Sequence, residues 1–265
     1  MAAIAVSGFA ADHGGSKSTV PYNIPLWDEG KIPLAAGTGP LDTPFLTAFL
    51  PPEGKRNGTA VIVAPGGSNI MLMYGAEGME IAERFNDWGA AAFVLTYRLS
   101  PKYGDNARVL DGNRAIQLVR AHAKEWGINA GDIGYAGFSA GSTMGRSVVA
   151  GAKAANPSAS DPLERVSSRP DFLVLVYGPG RGTPGEQLKD FPPTFLVAAA
   201  ADRGAANGSA QLFLDMNKAG AVVELHLYQK GRHGFGAGYG SPEFSTWMGE
   251  LQHFLQLGGF LPKGS

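Results

Sequence analysis

Ser139 stands in Gly137-Phe138-Ser139-Ala140-Gly141, between two glycines that each lie two residues away. A serine hydroxyl is a weak nucleophile near neutral pH. It attacks a carbonyl only with a base beside it and donors set for the oxyanion that forms. In a chain with 38 glycines, such a five-residue pattern arises by chance about one time in three, so its weight comes from its setting. The apolar run Ile133–Ala136 leads into it, and the small-residue stretch Ala140–Gly151 reads as helix. The serine is thus predicted to sit on a sharp turn between a strand and a helix, at the carboxyl edge of a sheet. Side chains at either flanking position would meet the neighbouring strand or helix, which gives both glycines a mechanical reason.

The chain has five histidines from which a base must come. His13 lies in an irregular N-terminal stretch, His122 in a long helical pattern, His226 inside an apolar strand and His253 in the last helix. His233, in Gly231-Arg232-His233-Gly234-Phe235-Gly236, follows the last strand directly, where a sheet of this kind carries its functional loops. His233 is therefore the predicted general base. It needs a carboxylate to fix its tautomer and to stabilise the imidazolium. Asp202 follows the apolar run Thr194–Ala199 and meets that need, although a short acid at that point also reads as a helix cap. Asp190 precedes its strand and Glu224 lies within one. For the oxyanion, Pro65-Gly66-Gly67-Ser68-Asn69 follows the run Ala60–Ala64. Gly66 or Gly67, with the N–H of Ala140, is predicted to form the hole. Ser68 and Asn69 are candidates for substrate contact.

The elements that must hold these residues alternate along the chain. Strands are expected at Phe45–Leu50, Ala60–Ala64, Ala91–Tyr97, Ile133–Ala136, Phe172–Tyr177, Thr194–Ala199 and Val222–Tyr228. Helices are expected at Glu77–Trp88, Val109–Trp126, Ala140–Gly151, Ala206–Ala219 and Glu243–Leu257. Such alternation predicts a mostly parallel sheet with helices on both faces. Residues 1–40 read as an extended arm, and residues 41–265 as a single domain. At 265 residues and 44% hydrophobic composition, one large core is affordable. The Gly- and Pro-rich loop 178–193 is a candidate wall for a substrate cleft.

Bulk properties exclude several functions. The chain carries 22 basic and 23 acidic residues, a net charge of −1, so it has no cationic excess for nucleic acid or an anionic membrane surface. It has no cysteine, which removes thiolate metal sites, iron–sulfur clusters and a cysteine nucleophile. No histidine–carboxylate cluster has zinc spacing. The alternating glycines of 234–240 lack the dinucleotide spacing. No metal or cofactor is expected. The apolar run Ala2–Ala11 has the length of a signal h-region but no basic residue before it. It reads either as the remnant of a secretory signal, implying a secreted or periplasmic protein, or as an ordinary terminus of a cytoplasmic one. Trp27, Trp88, Trp126 and Trp247 read equally as sugar-stacking or packing residues.

Taken together, PGGSN (65–69), AEG (76–78), YRL (97–99), DGNRAI (111–116), GFSAG (137–141), AADR (200–203) and RHGFG (232–236) resemble the bacterial α/β-hydrolase esterases of the acetyl xylan esterase-like and dienelactone-hydrolase-like group. The resemblance runs from Trp27 to Leu257. It implies a three-layer α/β/α sandwich without a large cap, no metal, and hydrolysis of short acyl esters, sometimes acetyl groups on plant polysaccharides. Ser139, Asp202 and His233 match the family's triad, and Gly66 and Gly67 its oxyanion loop. Glu77 and Arg98 match family positions and read as scaffold. Ser68 replaces a frequent third glycine, and the lack of cysteine removes dienelactone hydrolase chemistry. A small-molecule or carbohydrate ester is the expected partner. A peptidase on this fold would need a gating propeller or cap for which the chain has no room. A non-catalytic carbohydrate binder would have no use for the intact triad spacing.

Overall fold

Short apolar runs bounded by glycine and proline build the strands. A computed structural model of the chain describes residues 20–180, 182, 186–239 and 241–263. The run Ala2–Ala11, His13 and part of the 178–193 loop lie outside the described residues. In chain order the elements are β1 (Tyr22–Pro25), β2 (Phe45–Phe49), β3 (Ala60–Ala64), α1 (Glu80–Asp87), β4 (Ala91–Thr96), α2 (Asp105–Ala121), β5 (Ile133–Phe138), α3 (Ala140–Ala150), β6 (Leu173–Val176), β7 (Thr194–Ala199), α4 (Arg203–Lys218), β8 (Val223–Tyr228) and α5 (Trp247–Leu257). One eight-stranded sheet runs in the order β1-β2-β4-β3-β5-β6-β7-β8. The β1–β2 and β2–β4 pairs are antiparallel, and all others are parallel.

Strand periodicity divides the interior into two cores. Ala60, Ile62 and Ala64 of β3 face one core with side chains of α2, α3 and α4, while Val61 and Val63 face the other with α1 and α5. Neighbouring β4 repeats the division, with Phe93 and Leu95 on the first side and Ala92 and Val94 on the second. The sheet is thus sandwiched between helical layers. Its central strands read as unbroken apolar runs because both faces are buried.

The differences from expectation have local causes. Residues 22–25, within the expected arm, form an edge strand, although Tyr-Asn-Ile-Pro carries no clear alternation. Its register on β2 is reinforced by a Thr47–Asn23 side-chain hydrogen bond of 2.8 Å. The helix expected from Glu77 begins at Glu80, because Gly75–Met79 form a single wide π turn. The long helix starts earlier, at Asp105, and ends at Ala121. His122 is therefore its C-cap rather than an interior residue, and a 3₁₀ turn, Ala123–Trp126, follows. All four tryptophans have packing partners. Trp88 meets Phe85, Trp126 meets Phe93, Trp247 meets Phe138, and Trp27 lies against Arg98 and Arg114.

Candidate active site

β5 delivers Ser139 to the carboxyl edge of the sheet, where the chain reverses at once into α3. Ser139 is the N-cap of that helix, with φ 50° and ψ −111°, a conformation that non-glycine residues adopt only when their surroundings impose it. The imposition is visible. A Cβ on Gly141 would lie 2.1 Å from the Ala64 carbonyl oxygen, and one on Gly137 2.3 Å from that of Gly141. The tight approach of α3 to β3 and β5 is thus open only to glycine at these points. The Tyr135 hydroxyl donates to the Gly141 carbonyl at 2.9 Å and pins the turn from below.

β7 ends three residues before Asp202, which closes a tight turn by donating its N–H to the Ala199 carbonyl at 3.0 Å, and β8 ends five residues before His233. Their loops meet at Ser139. His233 Nε2 is 2.8 Å from Ser139 Oγ, and its Nδ1 is 2.5 Å from Asp202 Oδ2. The structure therefore brings the three predicted residues into one line. The other oxygen of Asp202 accepts the Ala205 N–H of α4 at 3.3 Å, so the carboxylate is also the helix cap. Its side chain is 17% exposed and that of His233 50%. The imidazole is reachable from solvent, and the group that orients it is largely shielded. His226 instead pairs with Glu224 at 2.7 Å and stacks on Phe195.

The loop after β3 is less simple than expected. The Gly66 N–H donates to Glu77 Oε2 at 2.7 Å, so this amide, predicted as an oxyanion donor, is already committed. Gly67, at φ 126°, remains as the loop's candidate. Ala140, which lines the cleft beside Ser139, has its N–H in the first turn of α3, where no intrahelical acceptor exists and the helix dipole favours negative charge. Ser68 and Asn69 both have left-handed backbones, at φ 56° and 62°. Ser68 lines the cleft over Ser139, whereas Asn69 turns its Oδ1 inward, without a partner among the described residues. The cleft, about 510 Å³, is walled by small residues, among them Thr143, Gly178, Gly180, Gly204 and Gly208.

Tyr177, just past β6, reads in the sequence as the end of an apolar strand, yet the structure places it in the site. Its ring lies 4.9 Å from that of His233, and its hydroxyl is 2.7 Å from Glu77 Oε1. Three buried phenols thus hold the site: Tyr97 donates to the Pro65 carbonyl at 2.7 Å, Tyr135 to Gly141, and Tyr177 to Glu77. Burial raises the pKa of all three. They remain protonated donors at any ordinary pH.

A mostly parallel sheet with a strained serine turn after its central strand, and acid and histidine following later strands, defines an α/β-hydrolase. Residues 46–171 match the BD-FAE family model. Over 91% of its length the chain is 29% identical to an acetylxylan esterase of Xylanibacter ruminicola. It is also 29% identical over 57% of its length to an endo-1,4-beta-xylanase B of Butyrivibrio fibrisolvens. It spans 50% of the first relative and 24% of the second. The crystal structure of an acetyl ester-xyloside bifunctional hydrolase from Caldicellulosiruptor lactoaceticus superposes with a TM-score of 0.83 at 30% identity, covering 91% of this chain and 97% of that one. An esterase from Thermogutta terrifontis, at 22% identity, shares the fold with a TM-score of 0.69 over 84% of this chain and 91% of its own. The chain belongs to the α/β-hydrolase esterase family, in its acetyl xylan esterase-like group.

Proposed function

We propose that the protein is a serine carboxylesterase that removes short acyl groups, acetyl foremost, from small or carbohydrate alcohols. The observation that carries this reading is the unbroken hydrogen-bonded line from Ser139 through His233 to Asp202. In the first half-reaction His233 takes the Ser139 proton as the oxygen attacks the ester carbonyl. The N–H groups of Gly67 and Ala140 receive the oxyanion, and His233 returns the proton to the leaving alcohol. Water then enters, gives its proton to His233, and releases the acid as Ser139 recovers its hydrogen. Asp202 keeps the imidazole in the tautomer that can accept from serine and stabilises its charged form. Acetylated plant carbohydrate is favoured as a substrate by the acetylxylan esterase and the acetyl ester-xyloside hydrolase among its relatives. The half-exposed histidine and open, small-walled cleft are also suited to the alcohol side of a sugar ester.

The test compares wild type with Ser139→Ala on p-nitrophenyl acetate and on acetylated xylan, following released acetate. The variant is expected to lose on the order of 10³-fold or more in kcat. Undiminished turnover would remove the triad. Turnover of the small ester without release from xylan would remove the polysaccharide.

A further inference from the structure

Glu77 is 3% exposed, yet neither of its hydrogen-bond partners is a cation. Burying a carboxylate costs several kcal/mol, and an apolar side chain of similar size is often the more stable filling. What such a filling would lose is a connection. Gly66 N–H and Gly236 N–H can only donate and a carboxylate can only accept, which fixes the direction of the whole chain of bonds. The amide of Gly236 donates to the Tyr177 oxygen at 3.2 Å, the Tyr177 hydroxyl donates to Glu77 Oε1 at 2.7 Å, and the Gly66 amide donates to Glu77 Oε2 at 2.7 Å. Gly66 immediately precedes the proposed oxyanion donor, and Gly236 lies three residues beyond His233. Both partners stand on unusual backbone. Glu77 projects from the single π turn at Gly75–Met79, and Tyr177 has φ 38°. Such departures persist where surrounding structure over-determines them, and they gather at functional sites.

We propose that Glu77 and Tyr177 are a positioning pair that sets the oxyanion loop against the histidine loop, so that turnover depends on a bond remote from the reacting atoms. The proposal rests on the esterase reading above. Neither group takes or gives a proton in the reaction. Glu77 acts through the amide of Gly66, and Tyr177 through the amide of Gly236 and the ring packed on His233. The geometry makes the two residues one unit, because substituting either breaks the same bond. Tyr177→Phe keeps the ring and leaves Glu77 on Gly66. Glu77→Gln can still accept from Gly66, but its amide group then faces Tyr177, which has no acceptor for its proton.

The experiment measures kcat, KM and thermal midpoint with p-nitrophenyl acetate for wild type, Tyr177→Phe, Glu77→Gln, the double variant and Ser139→Ala. A displacement of about 1 Å in a catalytic loop is worth up to on the order of 10²-fold in rate. Each single variant is accordingly expected to lose about ten- to a hundredfold in kcat, with KM held within about twofold and the double variant no slower than the slower single. Single variants with unaltered kcat, or losses that multiply in the double, would overturn the pair while an inactive Ser139→Ala leaves the esterase reading standing. An active Ser139→Ala would instead remove the esterase reading itself. Should Glu77→Gln fail to fold, Tyr177→Phe decides alone: unaltered kcat overturns the proposal, and a kcat loss at constant KM upholds it.

Discussion

Asp202 serves two masters through its two oxygens, and the roles separate by substitution. Asp202→Asn preserves an acceptor for the Ala205 amide but offers His233 an amide in place of a carboxylate. Its kcat is expected to fall on the order of 10³–10⁴-fold, with a thermal midpoint close to wild type. Asp202→Ala should lose the same activity and, in addition, up to about 1 kcal/mol of stability with the cap. Activity assays and urea denaturation on the two variants check this; equal stability would show that the 3.3 Å cap contributes nothing. That Ser139, Asp202 and His233 would meet was legible because each follows a strand, with glycines on both sides of Ser139 and His233 and one just after Asp202. Tyr177 was not legible. A tyrosine closing Leu-Val-Leu-Val looks like core, and its partner Glu77 lies 100 positions away. The commitment of the Gly66 amide was hidden for the same reason, since a motif names the residues near an oxyanion but not the direction of each N–H.

Elements were legible where burial is complete. The bounds of β3 and β7 coincide with their apolar runs because every residue of both strands is buried. Legibility failed at β1, whose alternation is too short to register, and at the start of α1, where the π turn shifts the helical phase. The start of α4 has a functional reading. Gly204 lines the cleft, and among the described residues a Cβ there would meet nothing within 4 Å but Asp202 Oδ1, at 4.0 Å. A side chain at this point has room within the fold and would project into the cleft. Gly204→Leu is therefore expected to retain wild-type stability or gain up to about 1 kcal/mol. It should lower kcat/KM roughly tenfold for p-nitrophenyl butyrate, bulky on both sides of the carbonyl, relative to ethyl acetate. Equal losses on the two esters would mean that the side chain disturbs the triad rather than the cleft.

At the scale of the whole molecule, one buried ion pair joins parts of the chain that secondary structure alone would leave separate. Arg98, after β4, makes a fully buried pair with Asp111 of α2, its Nη2 2.7 Å from Oδ1. It also donates to the carbonyls of Pro33 and Ala107 and lies over the ring of Trp27. The segment preceding β2, the end of β4 and the first turns of α2 are thus fastened to one guanidinium far from Ser139 in sequence. Removing it takes the counter-charge from Asp111 and leaves the carboxylate only the Arg98 backbone N–H, at 2.9 Å. Arg98→Met is expected to cost about 3–5 kcal/mol at pH 7, with activity per folded molecule little changed. Burial already raises the pKa of the Asp111 carboxyl, against the opposing pull of Arg98, and without Arg98 it should rise further. A carboxyl with a raised folded-state pKa gives its full stability below its unfolded value of about 3.9 and loses it as pH rises through the folded-state value. The deficit of the variant should therefore shrink as pH is lowered from 7 towards 4. In Arg98→Met/Asp111→Leu it should shrink, because both charges are gone and the space is filled, although the buried Arg98 N–H loses its acceptor. Urea denaturation of wild type and both variants at several pH values measures this. A deficit independent of pH, or a double variant no more stable than the single, would show that Arg98 holds these segments by packing on Trp27 and its carbonyl contacts rather than by charge.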